Sequence, residues 1–300
     1  MNADTPQSRY SSVFRPGLFA GQVHWVTGGG SGIGRCVAHE LASLGAHVVI
    51  SGRTQAKLDA VAAEIVQDGG CCDTAAFDIR DEAAVTAGIG QVLQRLGPVA
   101  GLVNNAGGQF PAPLTMISKK GFDAVVANNL TGGFLMMREL FKQCMQANGG
   151  AVVNMTADFR NGMPGMGHSG AARAGMANLT ATAAFEWAHA GVRVNAVAPG
   201  WIASSGMDTY GGAMKSFIPR LKNHVPMRRL GLEAEVSGAI AFLLSPAASF
   251  ISGVTLQIDG AASLGSAVFP LGVEAKSVPF EGFHRAITPG VLQSPPEALK

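Results

Sequence analysis

The sequence of 300 residues predicts a single-domain α/β fold, in which a doubly wound parallel sheet carries helices on both faces. Two observations lead to this prediction. Short apolar runs alternate with longer stretches of helical spacing along most of the chain, and a glycine-rich turn joins the first apolar run to the first helix. No linker composition interrupts residues 19–260. Because crossovers between parallel strands are right-handed, ligands are expected beyond the carboxyl ends of the strands.

The glycine-rich turn TGGGSGIG, residues 27–34, lies between an apolar strand at 23–26 and a helix at 35–44 that Gly45 closes. Glycines let the backbone approach a pyrophosphate, and the helix N-terminus supplies free N–H groups and a positive dipole end. The predicted cofactor-binding residues of this turn are Gly28, Gly30, Ser31, Gly32, Ile33 and Gly34. The alternative is that the glycines serve turn geometry alone, but the flanking strand and helix favour a dinucleotide site.

The second strand, 46–50, ends in the sequence Ser51-Gly52-Arg53-Thr54. In dinucleotide-binding folds the end of this strand meets the adenosine ribose, where an acid accepts the 2′-hydroxyl of NAD and a cation binds the 2′-phosphate of NADP. Arg53 is present there and no acid is, which predicts NADP(H) as the cofactor. An ordinary surface arginine is the alternative interpretation.

The later elements continue the alternation. We predict strands at 72–77, 100–103, 151–155, 192–198 and 254–258, and helices at 55–67, 119–128, 130–146, 166–189 and 233–244, together with a helix that Asp81 caps and that ends at 96. The two helices from 119 to 146 are expected to be interrupted near 128–132. Further cofactor contacts are expected after three strand ends, at Asp78, Ile79, Asn105, Ala106, Gly107, Pro199, Gly200 and Ile202.

The domain boundaries follow from composition. Residues 1–17 are assigned to an N-terminal tail, 18–264 to the domain and 265–300 to a C-terminal extension. Within the domain, the irregular segment 203–230 is rich in Gly, Met and polar residues and predicts a mobile lid over the site, with a disordered insertion as the alternative.

Composition excludes several classes of function. The net charge of +2 is too small to favour nucleic acid, so a small-molecule substrate is expected. The four cysteines have no disulfide or metal spacing, which predicts no metal site and fits a reducing cytosol. Residues 1–16 are polar, and no long apolar run is free of Pro, Gly and Asn, so we expect a cytoplasmic protein that does not enter a membrane.

These motifs together resemble the short-chain dehydrogenase/reductase family. The matching pieces occur in family order over about residues 18–262, and they are 27–34, Asp78-Ile79, 104–107, 129–132, 152–156, 193–195, Pro199-Gly200 and Asp259-Gly260. The segments 107–110, 168–175 and 243–249 are similar to the branch of enoyl-CoA and 2,4-dienoyl-CoA reductases. The resemblance implies a Rossmann-type fold, a symmetric homotetramer, and NADPH-dependent reduction of a carbon–carbon double bond conjugated to an acyl-CoA thioester in fatty acid metabolism.

The family's catalytic residues are an Asn, a Ser, and a Tyr-x-x-x-Lys on the long helix, and this sequence departs from them. By position, the resemblance assigns Asn129, Thr156 (or the adjacent Ala157), Ser169 in place of the tyrosine and Arg173 in place of the lysine. The chain has two tyrosines, Tyr10 and Tyr210, and neither has a lysine four residues later. A serine hydroxyl is too weak an acid for alcohol–ketone chemistry, which disfavours a simple alcohol dehydrogenase.

Conjugate reduction has a different requirement, because charge develops on the thioester oxygen and needs hydrogen-bond donors in a dry site. Arg173 is a cation that can also hold the nicotinamide ribose, and Asn129, Thr156 and Ser169 can donate or hold a water. His168 and Tyr210 are further candidate donors, against purely structural roles for each. Two function classes follow: an enoyl-CoA reductase-like enzyme, or an NADP(H)-binding protein without dehydrogenase activity. Another reaction on the same scaffold remains a third possibility.

Overall fold

The computed structural model describes residues 9–264 and 271–293, and its centre is a seven-stranded parallel sheet. The strands are β1 Val23–Thr27, β2 His47–Gly52, β3 Cys71–Ala76, β4 Val99–Asn104, β5 Gly150–Met155, β6 Val192–Pro199, β7 Ile202–Ala203, β8 Gly231–Leu232 and β9 Thr255–Ile258. The sheet order is β3-β2-β1-β4-β5-β6-β9, while β7 and β8 form a separate parallel pair. The order reverses between β1 and β4, so the predicted doubly wound fold is confirmed and its switch point follows the glycine-rich turn.

Helices cover both faces of the sheet. They are α1 Gly32–Ser43, α2 Gln55–Gln67, α3 Glu82–Leu96, α4 Lys119–Val126, α5 Gly132–Leu140, α6 Gln146–Asn148, α7 Gly167–Trp187, α8 Gly212–Phe217, α9 Glu233–Leu244 and α10 Gly290–Gln293. One core packs α1, α2 and α9 on the sheet, and a second core packs α3, α5 and α7 on the opposite face. Because both faces are covered, β1 is buried at every residue, as its apolar sequence requires.

The predicted interruption near 128–132 is a widened turn of helix rather than a break. The backbone stays helical from α4 into α5 through a π-helical turn at Ala127–Thr131, and a second π-helical turn at Phe141–Met145 leads into α6. In the first of these turns the Asn129 side chain donates to the Val125 carbonyl at 2.9 Å. The predicted interruption of the α-helix is therefore confirmed in position, and it takes the form of a π turn between α4 and α5.

The described parts of both terminal segments pack on the domain. Tyr10 and Phe283 are buried in one cluster with Cys36 of α1 and Ala234 of α9. Further along, Arg285 pairs with Asp68 at the end of α2, at 2.6 Å. The segment from 271 to 289 has no regular secondary structure, yet these contacts fasten it to the face that holds α1 and α2.

The predicted lid lies between β7 and β8 and has its own small core. It consists of α8 flanked by 3₁₀ turns at Ser205–Thr209 and Ile218–His224. Met207, Ile218 and Leu221 of the lid are buried against Val291 of α10. Among the described helices, none combines the length and the apolar character needed to cross a membrane.

Candidate active site

A cleft of ≈ 540 Å³ opens at the carboxyl ends of the central strands and beneath the lid. Its walls include every residue that the sequence predicts to contact the cofactor: Gly28, Gly30, Ser31, Gly32, Ile33, Gly34, Arg53, Asp78, Ile79, Asn105, Ala106, Gly107, Arg173, Pro199, Gly200 and Ile202. The fold thus brings segments from five strand ends, together with Arg173 of α7, to one site. Their individual roles in binding stay predictions.

The glycine-rich turn is shaped for a close approach of phosphate groups. Gly28 and Gly32 have φ of 67° and 57°, a region that other residues rarely adopt. A Cβ on Gly34 would lie 2.4 Å from the Gly28 carbonyl oxygen, so only glycine lets α1 start this close to the turn. Ser31 precedes α1 and makes no side-chain cap, which leaves the first N–H groups of the helix available to an anion.

Neighbouring polar groups hold this turn against the end of β4. The Thr27 hydroxyl accepts from the backbone N–H of Asn105 and of Ala106, at 3.0 and 2.9 Å. The Asn105 amide in turn donates to the Thr27 carbonyl at 2.9 Å. These bonds fix the two loops between which a dinucleotide would lie.

The adenosine end of the cleft carries two cations. Arg53 lines it at the end of β2, and Lys57 lines it one turn into α2. Asp78 is the one carboxylate among the described residues of the cleft wall, and the Arg80 guanidinium that binds it holds its pKa below the usual range. Sequence reasoning missed Lys57, although its place in the first turn of the predicted helix 55–67, close after Arg53, was a usable signal.

Arg173 is the most deeply buried cation of the cleft. It is 9% exposed, and its Nη1 donates to the Met155 carbonyl at 2.6 Å. Its Nε is buried without a partner among the described residues. Burial lowers its pKa to about 10, with an opposing effect of Tyr210, so the side chain stays cationic at neutral pH.

The environment of Arg173 fits a bound polar group. A Cβ on Gly107 would lie 2.8 Å from Arg173 Nη2 and 2.5 Å from Asn129 Oδ1, so the glycine makes room for both side chains. A buried donor without a partner is rare in folded proteins and marks a site that a ligand can satisfy. A ribose hydroxyl or a substrate oxygen has the required acceptor chemistry.

The other three predicted catalytic residues are committed to contacts within the protein. Asn129 donates to the carbonyls of Gly108 and Val125 and accepts from the Gly108 N–H, and it does not line the cleft. Thr156 lines the cleft but donates its hydroxyl proton to the Val197 carbonyl at 2.8 Å. Backbone carbonyls beside these side chains take their protons in this structure, and the expectation that they donate hydrogen bonds or hold a water during catalysis stays a prediction.

Ser169 is fully buried, and Gln109, which the sequence reasoning did not single out, lies between it and the cleft. Its hydroxyl donates to Gln109 Oε1, and Gln109 Nε2 donates to the phenol oxygen of Tyr210 at 3.0 Å. Gln109 and Tyr210 both line the cleft, while Ser169 does not. The only available signal for Gln109 was its place two residues after the predicted contact at Gly107.

His168 has a structural environment. Its ring is fully buried and lies edge-on to Phe110 at a centroid distance of 4.4 Å, and its Nδ1 accepts from the Ser169 N–H at 2.9 Å. It is absent from the cleft wall. Across residues 9–264 and 271–293, no group of three or more His, Cys, Asp or Glu side chains is placed to hold a metal ion.

The comparisons with known proteins identify the family. A family model described as enoyl-(acyl carrier protein) reductase matches residues 28–263. The chain belongs to the short-chain dehydrogenase/reductase family, whose members are oxidoreductases that bind nicotinamide cofactors.

Individual relatives show which members of the family the chain is similar to. The chain is 34% identical to the mouse peroxisomal 2,4-dienoyl-CoA reductase [(3E)-enoyl-CoA-producing], over 91% of this chain and 93% of that protein. It is 36% identical to a Bacillus subtilis protein named probable 2,4-dienoyl-CoA reductase [(2E)-enoyl-CoA-producing], over 78% and 94%. Among solved structures, the citronellol catabolism dehydrogenase (AtuB) of Pseudomonas aeruginosa PAO1 is 59% identical, with a TM-score of 0.78 over 85% of this chain and all of that one.

Proposed function

We propose that this protein is an NADPH-dependent reductase of a carbon–carbon double bond conjugated to the thioester carbonyl of an enoyl-CoA or dienoyl-CoA. One observation carries the proposal: the buried Arg173, whose Nε has no partner among the described residues, stands one helical turn after Ser169. These are the positions that the family resemblance assigns to the Lys and the Tyr of the Tyr-x-x-x-Lys pair. This arrangement lacks the acid–base pair of carbonyl reduction but retains a fixed positive charge for an oxyanion. The relatives named 2,4-dienoyl-CoA reductase support the same reaction.

The residues of the cleft have different roles in this proposal. Bound NADPH would supply the hydride. The N–H groups at the start of α1 bind the pyrophosphate, and Arg173 holds a ribose hydroxyl and lends positive potential to the thioester oxygen. The lid and the apolar side of the cleft exclude water, which strengthens each of these interactions.

NADP(H) is preferred over NAD(H) in this proposal, because Arg53 and Lys57 flank the expected position of the 2′-phosphate and no carboxylate follows β2 directly. A charge-assisted contact contributes about 1.5–3 kcal/mol, roughly ten- to a hundredfold in affinity. Arg53→Ala is expected to lose this factor for NADPH and little for NADH in calorimetric titrations. Arg95→Ala, which removes a surface arginine paired with Asp73, is the control. Equal affinity of the unmodified protein for both cofactors would remove the argument.

The acyl chain of the substrate is proposed to be methyl-branched. The support is the 59% identity to a protein named for citronellol catabolism, since citronellol is a branched acyclic terpene alcohol. That name also favours a second candidate, oxidation of the alcohol itself. The second candidate requires a base near the hydroxyl. At the positions that the family resemblance assigns to the phenol and the lysine, α7 carries Ser169, which does not line the cleft, and Arg173.

A substrate panel separates these possibilities. Straight and branched enoyl-CoA and dienoyl-CoA esters are mixed with NADPH, and citronellol with NADP⁺, while nicotinamide absorbance and product structure are followed. We expect NADPH oxidation at one-to-one stoichiometry with at least one thioester, and product analysis assigns the carbon that receives hydride. Turnover of the alcohol alone would favour the second candidate. Tight NADPH binding with no turnover of any compound would favour a binding protein without dehydrogenase activity.

We also propose a cytoplasmic location. All four cysteines are free, and Cys36 and Cys144 are buried, which suits a reducing compartment.

A further inference from the structure

Tyr210 is the one tyrosine in the cleft. The chain has two tyrosines, and Tyr10 lies on the other side of α1, buried with Glu40 and Ser237 as its hydrogen-bond partners. Tyr210 follows the 3₁₀ turn Ser205–Thr209 of the lid, and its side chain lines the cleft while it is half-buried against the small core of the lid. The lid therefore places a phenol in the cleft, whereas α7 carries Ser169 at the position that the family resemblance assigns to the tyrosine.

A directed chain of hydrogen bonds reaches this phenol from the position of the missing family tyrosine. Ser169 donates to the carbonyl oxygen of the Gln109 side chain, and the amide nitrogen of Gln109 donates to the Tyr210 oxygen at 3.0 Å. An amide nitrogen only donates, so the Tyr210 oxygen is the acceptor of this bond. Within residues 9–264 and 271–293 no hydrogen bond uses the phenol proton, which leaves it for a ligand in the cleft.

The electrostatic surroundings suit a donor to a developing negative charge. Tyr210 lies close enough to Arg173 to raise the pKa of the guanidinium, which burial lowers to about 10. Thr156 and Asn129, two other donors that the sequence predicts, are already bonded, because Thr156 donates to Val197 and Asn129 donates to Gly108 and Val125. Of the candidate donors named from the sequence, the Arg173 guanidinium and the Tyr210 hydroxyl are the two that line the cleft and keep protons for a ligand.

We propose that Tyr210 is a catalytic residue borne by the lid, whose hydroxyl hydrogen-bonds the thioester oxygen of the substrate, and that Gln109 and Ser169 are positioning residues that aim it. This inference rests on the proposed function. Bound NADPH would supply a hydride to the β carbon of the enoyl chain, or to the δ carbon of a dienoyl chain. The conjugated π electrons would then shift, and the carbonyl π pair would move to the thioester oxygen. Tyr210 stabilises that oxyanion, and a proton from water at carbon completes the reduction, so the nicotinamide loses two electrons and the acyl chain gains two hydrogens.

The test compares Tyr210→Phe with Tyr10→Phe, which removes the other hydroxyl far from the cleft. Loss of one oxyanion donor typically costs about 10²–10³ in rate. We expect Tyr210→Phe to lower kcat in this range, while KM for the thioester and Kd for NADPH change by less than a factor of about three. Tyr10→Phe is expected to keep the kcat of the unmodified enzyme. Gln109→Leu, which leaves the lid sequence intact, is expected to give a smaller loss with the same split between kcat and KM.

A spectroscopic measurement tests the contact without turnover. Acetoacetyl-CoA forms an enolate whose oxygen mimics the developing charge, and enolate absorbance reports its binding in the presence of NADP⁺. The unmodified enzyme and Tyr10→Phe are expected to bind the enolate form, and Tyr210→Phe is expected to lose that signal. Unchanged kcat and unchanged enolate signal in Tyr210→Phe would overturn the proposal and leave Tyr210 a packing residue. Absence of turnover with every thioester in the unmodified protein would instead count against the proposed function.

Discussion

In the proposed mechanism, the buried Arg173 provides electrostatic stabilisation in place of the acid–base chemistry that is usual in the family. Its guanidinium is anchored to the Met155 carbonyl and stays charged in a place where burial opposes charge. An arginine cannot deliver a proton at neutral pH, so its contribution to catalysis is a fixed potential and a set of donors. In the proposed mechanism, the cleft stabilises negative charge on an oxygen rather than protonating it.

This reasoning predicts unequal effects of mutations at the two altered positions. Arg173→Ala is expected to reduce the single-turnover rate with a bound enoyl-CoA by about 10²–10³, because it removes charge and donors together. Ser169→Ala is expected to cost less than about tenfold, since Ser169 acts only through Gln109. Arg173→Lys restores the charge but not the forked donors and should recover part of the rate. A collapse in Ser169→Ala with an unaffected Arg173→Ala would refute the mechanism.

Glu233 predicts a pH dependence of both stability and cofactor binding. It is 8% exposed at the start of α9, and burial raises its pKa to about 7, against a smaller lowering by Arg35. An unfolded Glu has a pKa of about 4.3, so the folded protein holds an extra proton between these values and loses that stability as pH rises through about 7. A Cβ on Gly32 would lie 3.8 Å from its carboxylate oxygen, which sets the same charge beside the expected phosphate site.

Glu233→Gln removes the titration while it preserves shape. We expect its melting temperature and its NADPH affinity to exceed those of the unmodified protein above pH 7 and to match them more closely in mild acid. Thermal melts and calorimetric titrations across this range give the comparison. Glu82→Gln, at an exposed glutamate, serves as the control. Parallel pH profiles for Glu233→Gln and the unmodified protein would mean that the carboxyl does not titrate in this range.

At the scale of secondary-structure elements, the sequence determines most of the sheet and several helices directly. The helix predicted at 55–67 is observed as Gln55–Gln67, and the helix predicted at 233–244 as Glu233–Leu244. Asp81 caps α3 as expected, through a bond from the Ala84 N–H at 3.1 Å. These elements were predictable because periodicity and capping are local signals.

The parts that escaped prediction depend on contacts between distant residues. The π turn at Ala127–Thr131 contains the Asn that ties Gly108 to the helix, a pairing that no local pattern encodes. Likewise, no pattern in the sequence indicates that backbone carbonyls accept the protons of Asn129 and Thr156, or that Gln109 stands between Ser169 and the lid. Motif positions therefore located the cleft, while the directions of its hydrogen bonds depend on the three-dimensional arrangement of distant segments.

The molecule as a whole exposes an apolar face that predicts self-association. Phe185 on α7 is 88% exposed and Phe250 is fully exposed. They belong to neighbouring segments, since a Cβ on Gly253 would lie 3.5 Å from the Ala184 side chain. Exposed aromatic surface of this kind is typical of an interface. The homotetramer implied by the family resemblance would cover it with the same face of another copy.

Substitution on that face tests the assembly. Phe185→Asp and Phe250→Asp are each expected to convert the homotetramer that we predict into smaller species in sedimentation velocity, because a desolvated carboxylate would be buried in the interface. Val66→Asp, at an exposed apolar residue of α2, is the matched control. A monomeric unmodified protein at micromolar concentration would contradict the tetramer, and unchanged sedimentation of both variants would place the interface elsewhere.

The C-terminal segment has a consequence for observing the molecule in motion. Asp68, at the end of α2 that points away from the cleft, holds Arg285, and the Asp208 carboxylate of the lid accepts the N–H groups of Gly290 and Val291 at 3.0 and 2.9 Å. One short stretch thus links the lid to the far end of α2. Deuterium uptake at these two amides, 82 and 83 residues beyond Asp208 in the chain, reports directly whether the lid is seated. Exchange at the amides of Gly290 and Val291 would therefore measure how often the lid separates from the C-terminal segment.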